Sequence, residues 1–125
     1  MSDFTARSTR RHRHKDMPGF EVRQVLPGHE LMVVGELNVH TIATVRDALG
    51  AAIDSGEGEL LVQMRRAEVA DAAGLGVLVG ADRRAARAGR RLVLTEVSPR
   101  LDRVIRGTKL NRVLTWTPAP QAATA

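Results

Sequence analysis

Hydrophobic and polar positions change period several times along the chain, and the changes divide it into short strands and longer helices. Residues 21–26 (EVRQVL) and 31–34 (LMVV) are β-prone runs flanking Pro27-Gly28, a turn pair, which predicts a hairpin. From 41 to 54, Ile42, Val45, Leu49, Ala52 and Ile53 fall on one stripe at helical spacing, and SGEG at 55–58 ends that helix. Residues 59–64 hold Leu60, Leu61 and Val62 in a row, too continuously apolar for a sheet covered on one side only. A helix over 73–88 follows, closed by Gly89 where a C-terminal glycine is preferred, and 92–94 is the next buried strand. Ser98-Pro99 opens a further helix with Leu101, Val104 and Ile105 on its apolar face; Gly107 stops it, and 113–116 reads as a last edge strand.

This alternation implies parallel strands joined by right-handed crossovers. The expected fold is a single α/β domain, a four- to five-stranded, mostly parallel sheet with about three main helices packed on it. Neither end shares the periodicity. Residues 1–18 hold Arg7, Arg10, Arg11, Arg13 and Lys15 against Asp3 and Asp16 with no apolar pattern, and read as a basic disordered tail. Residues 118–125 read as a second tail, leaving 19–117 as the domain.

Composition removes several function classes. No apolar run approaches the roughly 20 residues that span a bilayer, so no membrane insertion is expected. The chain has no cysteine, which excludes disulfides and thiolate metal sites and suggests the cytoplasm. Arg83, Arg84, Arg87, Arg90 and Arg91 form a basic cluster, read as a solvated face near a helix C-terminus. With 2% aromatic residues, stacking on nucleic acid has little to work with.

Four histidines and no tyrosine or cysteine leave few base–nucleophile pairs. His29 falls in a turn, His40 just precedes a helix, and His12 and His14 lie in the tail. Gly74-Leu75-Gly76 lacks the third glycine of a dinucleotide fingerprint, and no Gly-Lys-Ser/Thr follows it. The expectation is no enzyme activity, no metal and no cofactor.

Three phrases carry a family resemblance: GELNVHTIATV at 35–45, DAAGLGVLVG at 71–80 and VSPRLDRVIRGTKLNRVL at 97–114. In that order and spacing they resemble the STAS domain, and more narrowly the bacterial anti-sigma factor antagonists. The resemblance implies a regulatory protein that binds an anti-sigma factor, itself a GHKL-type serine kinase, in a partner-switching pathway of transcription control. In such antagonists the kinase phosphorylates the second serine of Asp-Ser-Ser-Gly-Leu-Gly. Here Asp71, Gly74, Leu75 and Gly76 match, while Ala72 and Ala73 replace the two serines, so Ala73 is a degenerate phosphoacceptor position. Asn38 replaces an aspartate, and His40 and Thr41 match the polar pair after it.

The expected partner-binding residues are therefore Asn38, His40, Thr41, Asp71, Ala72, Ala73, Gly74, Leu75 and Gly76. Asp71 is a good N-cap, which sets Ala72 and Ala73 in the first helical turn. A phosphate there would face the helix's positive end, so its disruptive effect belongs to the interface. Alanine cannot accept one, which leaves Thr41 and Ser98 as candidates for control elsewhere. Gly74 and Gly76 are explained equally by close partner approach or by tight packing on the sheet. A STAS module serving another complex, such as a soluble transporter subunit, a nucleic-acid-binding domain and self-association remain as alternatives.

Overall fold

The computed structural model describes residues 11–13, as backbone, and 19–120. In chain order they form β1 (Arg11–Arg13), β2 (Glu21–Leu26), β3 (Glu30–Leu37), α1 (Ile42–Asp54), β4 (Glu59–Val69), α2 (Ala72–Arg87), β5 (Arg91–Val97), α3 (Pro99–Gly107), a 3-10 turn (Leu110–Arg112) and β6 (Thr115–Pro118). The strands keep that order across one sheet. The β1–β2 and β2–β3 pairs are antiparallel; β3–β4, β4–β5 and β5–β6 are parallel. This is the mostly parallel α/β sheet with three helices that the alternation predicts, with five strands besides the three-residue β1.

Two boundaries differ from expectation. Residues 11–13 fall in the stretch read as a disordered tail, yet they run antiparallel to β2. An edge strand offers unpaired N–H and C=O groups that any extended segment can use, whatever its hydrophobicity. At the other end Pro118 closes β6, and Ala119 N–H donates to Val97 O at 2.9 Å. The remaining parts of both expected tails, 1–10, 14–18 and 121–125, lie outside the described residues, as do the side chain of His12 and all of His14.

The core lies on one face of the sheet, where Val22, Leu31, Val33, Leu60, Val62, Leu92 and Leu94 meet Leu49 and Ile53 of α1, Leu78 of α2 and Ile105 of α3. Leu61, in the middle of its apolar run, is half-buried on the opposite face beside its buried partner Val93, so the run marks a strand only partly covered on that side. β4 also runs five residues past the predicted Met64. Its register against β3 shifts between Met32 and Val34, an irregularity that leaves Arg65 and Arg66 both exposed before Ala67 returns to the core. That break in the period-two pattern hid the second half of the strand. On α3, Leu101 and Ile105 are buried, whereas Val104, expected beside them, is 38% exposed.

The basic cluster is broken by one inward turn. After α2, Gly89 takes φ +75°, Gly89 N–H donates to Ala86 O at 3.0 Å and Arg90 N–H to Ala85 O at 2.8 Å. This Schellman reversal sends Arg90 into the protein rather than onto its surface. Its guanidinium donates to the carbonyls of Ala52 and Ile53 at the end of α1, of Gly28 in the hairpin turn, and of Glu57, Gly58 and Glu59. Arg90 is thus a buried tie between the α1 C-terminus, the β2–β3 turn and the start of β4. Gly56 fits under Gly28 in the same knot, where a Cβ would meet the Gly28 carbonyl.

Candidate docking surface

Two segments 32 residues apart in sequence meet at the C-terminal ends of β3 and β4. After β3, residues 38–41 form a turn held from within. Thr41 is fully buried; its Oγ1 donates to Glu36 O at 2.8 Å and accepts from Asn38 N–H at 3.0 Å. The Asn38 side chain accepts from His40 N–H through Oδ1 and donates through Nδ2 to the Glu36 carboxylate, both at 2.8 Å. The Asn38 carbonyl accepts from Thr41 and Ile42 N–H and so starts α1. An aspartate at 38 could serve His40 but could not donate to Glu36.

After β4, Asp71 is extended at φ −153°, ψ 177°, and caps α2 by accepting from Gly74 N–H at 2.9 Å. Its second oxygen accepts from Val39 N–H at 3.2 Å, which ties the turn to the helix start. Ala70 N–H donates to Leu37 O at 3.0 Å, and a Cβ on Gly74 would stand 2.4 Å from that same carbonyl oxygen. Gly74 is therefore required by packing of α2 on β3.

Burial sorts the expected partner-binding residues into two groups. Asn38 (7% exposed), Thr41 (0%) and buried Gly74 lie beneath the surface and shape it from within. Thr41 is for the same reason a poor substrate for modification, while Ser98 is occupied in capping α3 through Leu101 N–H. Leu75 packs against the core edge. His40, Asp71, Ala72 and Gly76 are exposed and Ala73 is half-buried. Between them stands Val39, 59% exposed, which the sequence reading passed over. Its signal was present: a lone apolar residue in a polar turn, between Asn38 and His40.

The surface holds no reactive hydroxyl and, among the described residues, no group of three or more His, Asp or Glu could hold a metal. No helix among them is long and apolar enough to cross a membrane.

A family model described as "Mlab, STAS domain" matches residues 22–115. The chain belongs to the STAS domain family. Solved structures share the fold of this STAS domain at low identity. The anti-sigma factor antagonist SpoIIAA in its unphosphorylated form is 19% identical, with a TM-score of 0.60 over 81% of this chain and 89% of that one. Phosphorylated SpoIIAA, described as a Bacillus cell fate determinant, is 20% identical, with a TM-score of 0.57 over 78% and 90%. A putative anti-sigma factor antagonist from Thermotoga maritima is 17% identical, with a TM-score of 0.60 over 84% and 88%. No curated protein matches.

Proposed function

We propose that this STAS domain is a regulatory binding protein of the anti-sigma factor antagonist kind, which docks an anti-sigma serine kinase through the 38–41 turn and the first turn of α2. The observation that carries the reading is the Asp71 carboxylate, which fixes both segments at once and leaves Val39, His40 and Ala73 on a prepared surface. A preorganised surface loses little conformational freedom on binding. Likeness to SpoIIAA, solved with and without phosphate, supports the same class of partner.

Ala73 stands where the resemblance puts the phosphoacceptor. A methyl group there cannot be phosphorylated, so the complex stays closed in the presence of kinase and ATP, and control passes to the amount of protein. The test is incubation of the complex with ATP. The parent chain takes up no phosphate at position 73 and remains bound. Ala73→Ser takes up phosphate and is released. Phosphate-dependent release of the parent chain would overturn the reading.

A further inference from the structure

A groove of about 400 Å³ lies between α1 and α2 and begins at Ala73. Its floor continues along α2 through Gly76 and Gly80, and Arg46, Arg84 and Arg87 line it. We infer that this groove takes an acidic helix of the partner. The inference rests on the docking reading above and gives the chemistry of the segment bound.

Charge identifies the occupant. Arg84 reaches across to Asp54 at 2.9 Å, and its guanidinium lies over Gly50, whose missing side chain leaves room for it. Among the described residues, Arg46 and Arg87 make neither an ion pair nor a side-chain hydrogen bond, so three cations face one acid across the groove. Two unpaired guanidiniums on a concave surface favour carboxylates, which they can bind with bidentate geometry. Residues 1–18 are net basic and 121–125 carry no acidic side chain, so neither segment complements the groove.

Shape favours a helix over an extended strand. Ala73, Gly76 and Gly80 recur at helical spacing, which makes a straight shallow furrow that accepts the ridge of another helix. A Cβ on Gly76 or Gly80 would meet nothing within 4 Å, so no contact within this chain requires glycine there. Both are exposed in a helix where alanine would be the better former. A partner backbone approaching closely supplies the missing reason.

The test uses the full chain, isotope-labelled for amide NMR, and two synthetic alanine-based helical peptides. One carries glutamate at every fourth position and the other lysine. The glutamate peptide is expected to shift the Gly50, Gly76 and Gly80 amides saturably, with affinity falling severalfold as salt is raised; the lysine peptide is not. Gly80→Leu should abolish the saturable shift. Gly80→Ala should raise the melting temperature, which shows that the position tolerates a side chain in the free protein. Equal shifts from both peptides, no saturable shift, or binding unchanged by Gly80→Leu would overturn the inference. If the acidic peptide fails while Ala73→Glu still releases the anti-sigma kinase, the docking reading stands and the groove assignment alone falls. If the peptide binds and Ala73→Glu leaves the kinase complex intact, the docking reading falls.

Discussion

The backbone N–H of Val39 donates to one oxygen of the Asp71 carboxylate at 3.2 Å, while the other oxygen accepts from Gly74 N–H at 2.9 Å. One side chain thus serves as helix cap and as the link to a turn 32 residues earlier. Asp71→Ala is expected to lower stability by about 1–2 kcal/mol through the lost cap. It should also speed hydrogen exchange of the Val39 amide. Asp71→Asn keeps one acceptor oxygen and should recover most of the stability but not the Val39 protection. Urea unfolding with amide exchange distinguishes the two effects.

Arg90 predicts a larger loss. Replacing it by methionine leaves the carbonyls of Gly28 and Ile53 without their buried donor, while Ala52 keeps only its bonds from Ser55. Unsatisfied buried acceptors cost about 1–3 kcal/mol each, so a drop of about 3 kcal/mol or more is expected. At roughly 4–8 °C per kcal/mol for a domain of this size, the melting temperature should fall by more than about 12 °C. Arg90→Lys should restore little, because one ammonium cannot span carbonyls that a planar fork reaches together.

Asn38→Asp should be tolerated in acid and penalised at neutral pH. The substitution keeps the acceptor for His40 N–H but brings a carboxylate against Glu36 in place of a donor. Like charges favour protonation of one member of such a pair, so the penalty is absent while the carboxyls are protonated and grows as pH rises through the carboxylate range. Chemical denaturation of parent and variant at about pH 4 and about pH 7 should show the gap widening.

The α3–β6 contact has the opposite sign. The Trp116 indole N–H donates to Asp102 at 2.8 Å and, with Arg106 behind it, holds that carboxyl below its ordinary range. A depressed folded-state value contributes stability above the unfolded value and loses it as pH falls through the folded one. Trp116→Phe removes the donor, so its destabilisation relative to the parent should shrink on acidification. Denaturation midpoints on both sides of the aspartate range check this.

Order and type of the central elements were legible because apolar stripes and turn residues agree with the packing that resulted. Leu49 and Ile53 sit on the buried stripe of α1, and Gly89 ends α2 in the left-handed conformation its position suggests. The second half of β4 was not legible, since an irregular register at Met64–Arg66 destroys the alternation that marks a strand. Nor was the fate of Arg90, whose partners are backbone carbonyls that no residue pattern reveals. Within the candidate site, Asp71 could be read as a cap from its place before the helix. Burial of Thr41 and Asn38 could not, because a polar residue folded into its own turn looks like one facing solvent.

The most direct test is the affinity of the Ala73→Glu variant for the proposed partner, an anti-sigma kinase, measured by isothermal titration beside the parent chain. A carboxylate at the start of α2 should leave the free protein folded, since it faces the helix's positive end. At the interface it would be desolvated without a partner, and the expected loss is about 1–3 kcal/mol, roughly five- to two-hundredfold in dissociation constant. An unchanged dissociation constant would contradict docking at the start of α2.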